Sequence, residues 1–237
     1  MLRLLESPPC AQDNLALDAG WFERLEAGAA SEALHLWESP VPVVVVGRLG
    51  AASKEVETEA CATDGVAILR RESGGGAVVL GPGCLNYSLL LSLDRHPALR
   101  DVRLSYRLIL GRLIHALAVP GLEIRGVSDV AIEGRKVSGN AQRRGSHALL
   151  HHGTLLYAFE TGMAERYLLE PCRQPDYRAR RLHAEFLGNL PLSAGEIRER
   201  LSELARVTIG CETATGPRSD FRRAGARSPR RTPASSG

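Results

Sequence analysis

The fold is decided by residues 122–158, which read LEIRGVSDVAIEGRKVSGNAQRRGSHALLHHGTLLYA. Short apolar runs alternate with glycines here, a pattern that predicts a series of strands joined by tight turns. The predicted strands cover residues 122–125, 129–132, 136–138, 148–151 and 154–158. We expect the turns at four glycines, namely Gly134, Gly139, Gly145 and Gly153.

The rest of the chain surrounds these strands with helices and a few further strands. Apolar spacing predicts helices at residues 14–25, 54–62, 102–117, 163–169 and 194–207, and strands at 33–37, 43–46, 66–69 and 84–91. Strands clustered around a few helices, without a regular βαβ alternation, favour an α+β fold with a mixed, mostly antiparallel sheet flanked by helices. We expect one domain over residues 1–210 and a disordered basic tail over 211–237.

The composition is that of a soluble globular chain, with 237 residues, 44% hydrophobic and 24% charged. The chain has no run of eighteen apolar residues and no basic start before a long apolar stretch. We therefore expect neither a transmembrane helix nor a secretory signal, and a cytoplasmic location. The five cysteines show no paired or zinc-type spacing, so free thiols are expected.

The formal net charge of +3 originates in the C-terminal tail. Residues 217–237 contain six arginines against one aspartate, so the rest of the chain is slightly acidic and offers no basic face for nucleic acid. The tail has almost no large apolar side chains and cannot offset its chain entropy by burial, which predicts disorder. Neither a nucleic acid nor a membrane is expected as a partner.

Three consecutive glycines, Gly74, Gly75 and Gly76, form the first candidate site. Glycine lets a backbone approach a ligand closely, and successive exposed N–H groups can bind an anion. Arg70 and Arg71 precede the glycines and add bidentate donors for phosphate or carboxylate. The spacing matches neither a Walker loop nor a dinucleotide fingerprint, and the plain alternative is a flexible surface loop.

Lys136 is the second candidate, because the chain contains only two lysines among thirty basic residues. A lysine retained where arginine is otherwise used indicates a role that guanidinium cannot fill. A compact ammonium can contact an acyl oxygen or a phosphate as a point charge. The plain alternative is a surface lysine kept by chance.

His151 and His152 form the third candidate. Adjacent residues of a strand point to opposite faces, so these two histidines cannot bind one metal ion together. A core or rim histidine with a backbone partner is the simpler interpretation of either one.

Taken together, these blocks resemble the lipoate–protein ligase and octanoyltransferase superfamily, which also includes the biotin protein ligases. The resemblance rests on residues 70–78, 134–142 and 151–156, with smaller matches at 14–16 and 46–48. It covers roughly residues 10 to 190, and the order of three blocks makes it more specific than any single motif. The Arg-Arg-x-x-Gly-Gly-Gly form favours lipoate over biotin.

The resemblance implies an ATP-dependent ligase that uses ATP and Mg²⁺. Such an enzyme activates lipoate or octanoate to the acyl-adenylate. It then transfers the acyl group to a lysine of a lipoyl carrier domain or of a glycine-cleavage H-type protein. Some ligases of this kind receive an accessory domain as a separate chain, which is therefore a possible further partner.

The resemblance also assigns residues. Lys136 would be catalytic and contact the acyl carbonyl and the adenylate phosphate, and Asp129 would lie near the nucleotide or its magnesium. His152 and Gly153 would shape the pocket floor. The full set of implied substrate- and nucleotide-binding residues is Arg70, Arg71, Ser73, Gly74, Gly75, Gly76, Ala77, Asp129, Ser138, Gly139, Asn140, Ala141, His152, Gly153 and Thr154.

Two alternatives stay open. A cysteine/lysine octanoyltransferase would take octanoate from acyl carrier protein without ATP, with Cys172 as its nucleophile. Leu80 and Gly81 stand where such ligases carry a polar His-Asp pair, which weakens the ligase interpretation, whereas Asp129 is ligase-like. The other alternative is a non-catalytic acyl-binding module.

Overall fold

The computed structural model describes residues 1–171 and 174–206. Its ten described strands are β1 (Arg3–Leu5), β2 (Ala33–Glu38), β3 (Val43–Val46), β4 (Ala67–Arg70), β5 (Val78–Leu80), β6 (Cys84–Ser92), β7 (Glu123–Arg125), β8 (Asp129–Ile132), β9 (Arg135–Arg144) and β10 (Ala148–Leu156). The helices are α1 (Ala11–Glu26), α2 (Ala52–Glu55), α3 (Thr58–Asp64), α4 (Val102–Leu117), α5 (Gly162–Tyr167), α6 (His183–Phe186) and α7 (Ala194–Arg206), with single 3₁₀ turns at Pro97–Arg100 and Asp176–Arg178.

The strands form two sheets. The larger has seven strands in the order β1-β2-β6-β10-β9-β8-β7, and the smaller has three in the order β4-β3-β5. Only the β1–β2 and β3–β4 pairs run parallel among the described strands. The expectation of an α+β fold with a mixed, mostly antiparallel sheet is therefore confirmed.

Helices cover both faces of the seven-stranded sheet. Helices α4 and α7 contribute Leu110, Leu113 and Leu201 to the largest core cluster, and α1 packs Trp21 and Phe22 onto β6 and β10. Burying each such side chain contributes about 1.5–3 kcal/mol, so these layers supply most of the drive to fold. The central strand β6 is buried along almost its whole length.

Two helix starts follow from local side-chain chemistry. The carboxylate of Asp101 accepts a hydrogen bond from Leu104 N at 2.7 Å and caps α4. Ser193 and Glu196 form a capping box before α7, because Ser193 N donates to the Glu196 carboxylate at 2.8 Å. Both helices were predicted at these positions. The bounds of α4 are those predicted, and α7 begins at the predicted residue 194.

The single helix predicted over residues 54–62 is wrong. The structure has two short helices, α2 and α3, separated by Val56 in an extended conformation with φ −130° and ψ 135°. Val56 forms a bridge with Leu168, and Glu57 N donates to Tyr167 O at 3.0 Å. These pairings with a distant segment override the local helical preference.

The turns predicted at Gly139 and Gly153 are also wrong. Both glycines lie inside long strands, Gly139 in β9 and Gly153 in β10, opposite Asp129 and Asn140 respectively. The two strands predicted at 148–151 and 154–158 are thus one strand, which pairs continuously with β6. Gly134 does form a turn, where Glu133 and Gly134 have φ 51° and 73°, the two left-handed residues of a type I′ hairpin.

No helix among the described residues is long and apolar enough to cross a membrane. The predicted domain end at residue 210 and the predicted tail over 211–237 lie outside the described residues.

Candidate active site

A cavity of about 340 Å³ lies where the two sheets meet the segment that follows α5. Its apolar wall belongs to the second core cluster and includes Leu15, Trp37, Val45, Val78, Val79, Leu80, Leu156, Phe159, Ala164 and Leu168. Its polar wall includes Ser128, Asp129, Lys136, Ser138, Asn140, Thr154, Arg178 and His183. A slot with one apolar and one polar wall fits a ligand that combines an acyl chain with a charged head.

Lys136 and Asp129 form the ion pair of the polar wall. Lys136 Nζ lies 2.8 Å from Asp129 Oδ1, and the two side chains are 26% and 11% exposed. Tyr177 donates its hydroxyl to Asp129 Oδ2 at 2.8 Å. Burial and the Asp129 carboxylate raise the pKa of Tyr177, so its proton stays in this bond. The ammonium is therefore held in a fixed position at the cavity surface.

Strand β9 leaves room for that ammonium at Gly139. A Cβ at residue 139 would lie 2.8 Å from Lys136 Cε and 2.9 Å from Nζ, closer than a side-chain carbon can approach. The β8–β9 ladder also shifts register between Val130 and Ala131, a bulge-like irregularity that redirects side chains near active sites. The absent Cβ and the irregularity together explain how Lys136 lies back along its own strand.

Arg71 holds the glycine loop from inside. Its guanidinium donates to Val45 O at 3.1 Å, to Gly74 O at 2.7 Å and to Gly76 O at 2.9 Å. Burial lowers the pKa of Arg71 to about 10, which leaves it charged at neutral pH. Gly75, between the two bound carbonyls, has φ 93°, a conformation that favours glycine. Arg71 lines the cavity, but these donors are already bound to backbone carbonyls.

Arg70 has a comparable role on the other side of the loop. Its Nη1 donates to the carbonyls of Gly47, Arg48 and Gly50 at 2.7, 3.1 and 2.9 Å, so it closes the turn after β3. Arg70 does not line the cavity. The predicted contact of Arg70 and Arg71 with a bound phosphate or carboxylate stays a prediction.

His152 connects the loop to the central sheet. Its Nε2 lies 2.5 Å from Ser73 Oγ, which also accepts a hydrogen bond from Arg71 Nε at 3.0 Å. Burial, together with Arg71, lowers the pKa of His152 to about 4. The neutral ring can then accept the Ser73 proton, and the loop is anchored to β10 at neutral pH.

His151 points to the opposite face, as predicted for adjacent strand residues. Gln142 Nε2 donates to its Nδ1 at 3.0 Å, and its Nε2 lies 3.3 Å from Tyr87 Oη. Burial lowers the pKa of His151 to about 3. Tyr87 in turn donates to Asn140 Oδ1, so a buried chain of hydrogen bonds fixes the amide that faces the cavity.

Asn140 fixes the start of β8. Its Nδ2 donates to Ser128 O at 2.8 Å and to Ser138 Oγ at 3.1 Å. A Cβ at Gly153 would overlap Asn140 Oδ1. The asparagine therefore needs both the Tyr87 hydroxyl and the space over Gly153 to hold Ser128, the residue before Asp129.

The cavity brings most of the predicted site residues together. Thirteen of them line it, namely Arg71, Gly75, Gly76, Ala77, Asp129, Lys136, Ser138, Gly139, Asn140, Ala141, His152, Gly153 and Thr154. Arg70, Ser73 and Gly74 do not line it. Cys172 lies outside the described residues. No cysteine of the described part of the chain lines the cavity.

The predicted magnesium role of Asp129 is not tested, but both of its carboxylate oxygens already have partners, Lys136 and Tyr177. In the described ranges no group of three or more histidine, cysteine, aspartate or glutamate side chains could hold a metal ion. A divalent cation at Asp129 would share these oxygens with Lys136 and Tyr177.

Several lining residues gave no usable sequence signal. Glu55 accepts a hydrogen bond from Ala77 N at 2.6 Å and supports the glycine loop, yet its stretch is typical of a solvated helix. Arg178 and His183 come from a segment without strand or helix periodicity, as does Tyr177, which does not line the cavity but binds Asp129. Arg178 donates to Glu170 at 3.0 Å and is 3% exposed. A nearly buried arginine cannot be distinguished from a surface arginine by its sequence alone.

Comparison with known proteins shows which family and which folds this chain is similar to. The family model for the lipoyl protein ligase A/B catalytic domain matches residues 10–200. Lipoate-protein ligase A of Blochmanniella pennsylvanica is 34% identical over 152 residues, which are 61% of this chain and 41% of that protein. Octanoyltransferase LipM of Kyrpidia tusciae is 26% identical over 234 residues, 86% of this chain and 85% of that protein. The chain thus spans less than half the length of the ligase.

Solved structures show the same fold. A crystal structure of lipoate-protein ligase A bound with ATP has a TM-score of 0.69 and 25% identity, covering 84% of this chain and 82% of that one. The bi-partite lipoate protein ligase from Thermoplasma acidophilum, described with its E2 lipoyl domain, has a TM-score of 0.68 and 23% identity, covering 85% and 80%.

Proposed function

The chain belongs to the lipoyl protein ligase A/B catalytic domain family, and from this membership we propose that it is a lipoate–protein ligase. It uses ATP to convert lipoate or octanoate to the acyl-adenylate, and then transfers the acyl group to a lysine of a lipoyl carrier domain. The carrier is an E2-type lipoyl domain or a glycine-cleavage H-type protein. Residues 1–210 form the catalytic domain in this proposal.

The observation that carries the proposal is the Lys136–Asp129 pair in the polar wall of an otherwise apolar cavity. The acyl chain lies along the apolar wall and its carboxyl group meets the ammonium. As the mixed anhydride forms, negative charge collects on its phosphate, and a fixed cation in a dry site stabilises that charge. The loop N–H groups and the polar side chains around Asn140 orient the nucleotide.

ATP supplies the leaving group, and magnesium bound to its phosphates would enter with the nucleotide. The residues present fit the nucleotide's charge, because an ammonium and a buried guanidinium, Arg178, line the same cavity. Because Asp129 already holds two partners, its part in this proposal is to orient Lys136. The glycine loop approaches the intermediate through its backbone.

A ligase is favoured over a thiol transferase by the partner of Lys136. A transferase needs its lysine to stabilise a thiolate, and a carboxylate already bound to that ammonium opposes the thiolate electrostatically. In a ligase the same carboxylate keeps the ammonium in place until the phosphate arrives. The ATP-bound ligase among the structural neighbours supports nucleotide use by this fold.

The second candidate is a cysteine/lysine octanoyltransferase with Cys172 as nucleophile. One observation favours it: the LipM relative is matched over 85% of its length, far more than the ligases. The resemblance to the ligases implies a polar pair at residues 80 and 81, whereas Leu80 in the cavity wall is apolar, which also favours the transferase. A non-catalytic acyl-binding module remains the third candidate, and it would bind lipoate without turnover.

The deciding experiment compares the protein with its Cys172→Ser variant. With lipoate, ATP, magnesium and a carrier domain, a ligase releases pyrophosphate and lipoylates the carrier, and the variant keeps the wild-type rate. A separate accessory domain is added in a parallel reaction, since some ligases are bi-partite. A Cys172 thioester formed from octanoyl carrier protein without ATP, together with an inactive variant, would establish the transferase instead.

A further inference from the structure

His183 presents a buried nitrogen without a partner to the cavity. The residue is 8% exposed and lines the cavity wall beside Arg178. Its Nε2 has no hydrogen-bond partner among the described residues, and the nearest carboxylate oxygen, Glu170 Oε1, is 3.8 Å away. Buried polar atoms in folded proteins nearly always have a partner, so this nitrogen is available to a group that the described residues do not supply.

The other ring nitrogen fixes the tautomer. The His183 ring donates a hydrogen bond to the backbone of Leu169. Because Nε2 has no partner, this bond belongs to Nδ1, and the neutral ring carries its proton there. Burial and Arg178 lower the pKa of His183, against the opposing effects of Glu170, the Leu169 backbone and Glu165. At neutral pH, therefore, Nε2 offers a lone pair.

The backbone of residues 183–188 places His183 near Lys136. Leu187 N donates to His183 O at 2.9 Å across one turn of α6, which is about 6 Å along a helix axis. Leu187 forms a bridge with Lys136, and Gly188 N donates to Lys136 O at 2.9 Å. His183 thus stands about one helical turn from the strand that carries the ammonium, on the wall of the same cavity.

We propose that Nε2 of His183 accepts the proton released when a carrier-domain lysine attacks the activated acyl group. This rests on the proposed ligase function. The lysine nitrogen bonds to the acyl carbon, and the bond from that carbon to the phosphate oxygen breaks, its electron pair leaving with AMP. The surplus proton of the new amide nitrogen moves to Nε2, and from there to water by way of Glu170, whose side chain is 46% exposed.

The test uses His183→Asn, whose side-chain NH₂ group stands near the position of Nδ1 and keeps a donor for Leu169, but which has no base. Octanoyl-adenylate and an apo lipoyl carrier domain are mixed with excess full-length protein, and amide formation is followed in a single turnover. Transfer by the variant should fall by about 100-fold or more, with unchanged affinity for octanoyl-adenylate. Added imidazole should restore part of the rate.

His147→Asn is the matched control, because His147 is exposed, pairs with Asp94 and lies in a different surface depression. It should transfer at the wild-type rate. A His183→Asn variant that equals the wild type overturns the base role alone. So does one that loses affinity for octanoyl-adenylate while keeping its transfer rate, since His183 would then be a nucleotide contact. A wild type that transfers nothing from the adenylate overturns the ligase proposal itself.

Discussion

The chain uses glycine for different reasons in two regions that meet at the cavity. In the loop of Gly74, Gly75 and Gly76, glycine supplies backbone conformation, since Gly75 has φ 93°. In strands β9 and β10, Gly139 and Gly153 have ordinary extended backbones, and what matters is the missing Cβ. The comparison teaches that glycines in a sequence can indicate a functional site. They do not reveal whether the site needs an unusual backbone conformation or the space left by a missing Cβ.

The largest effect is expected for Gly153→Ala. The new methyl group would overlap Asn140 Oδ1 and approach Gly139 O within 2.9 Å. Because the obstacle includes backbone of the neighbouring strand, we expect a loss of about 3 kcal/mol in the free energy of unfolding. Chemical denaturation measures this loss, and lipoylation activity should be lost as well. A variant with wild-type stability would mean that the sheet adapts and that space is not the reason for this glycine.

Arg71→Lys should have the next largest effect, and it tests the loop half of the comparison. Lysine keeps the charge but cannot reach three carbonyls at once, so at least one buried acceptor loses its donor. We expect a loss of about 1–3 kcal/mol in the free energy of unfolding. Hydrogen exchange at Gly75 and Gly76 should also become faster. Unchanged exchange there would show that the loop holds its shape without the guanidinium.

Gly139→Ala separates activity from stability. Its Cβ would meet only the flexible end of Lys136, which can swing away, so the free energy of unfolding should change by less than about 1 kcal/mol. The displaced ammonium should lower the rate of acyl transfer by about 100-fold. Thermal denaturation and single-turnover kinetics on the same preparation measure the two quantities. Equal, small effects on both would contradict the assigned role of Lys136.

Gly74→Ala should have the smallest effect and serves as the control for all three. A Cβ at residue 74 would meet no atom within 4 Å, and Gly74 is not among the residues with positive φ. We expect a change of less than about 0.5 kcal/mol in the free energy of unfolding. The transfer rate should also stay close to that of the wild type. A large loss of activity alone would mean that a ligand passes directly over this residue.

Much of this architecture was predictable from the sequence, because helix periodicity and short glycine-bounded strands are local signals. The helix over 102–117 and the strand over 129–132 were predicted with their observed bounds. The break at Val56 was not predictable, since it depends on pairing with Leu168, more than a hundred residues away. The misplaced turns at Gly139 and Gly153 have the same cause: local rules cannot detect a partner across the sheet.

The candidate site divides in the same way. Lys136 and the glycine triplet were identified from residue type and order, and Asp129 from the family resemblance. Lys136, Asp129, Gly75 and Gly76 all line the cavity. Arg71 could be identified as important, but its bonds to loop carbonyls depend on burial that no motif records. His183 and Tyr177 were missed because their segment has no periodicity. Its contacts with β8 and β9 form only in the folded chain.

The hydrogen bond from Gly188 N to Lys136 O joins the segment that follows α6 to strand β9. A segment held by side chains alone could move without disturbing the backbone of β9. Here, any movement that carries residues 187 and 188 outward also pulls on the main chain of the lysine. A shift of these two residues is therefore transmitted to the backbone that carries the Lys136 ammonium.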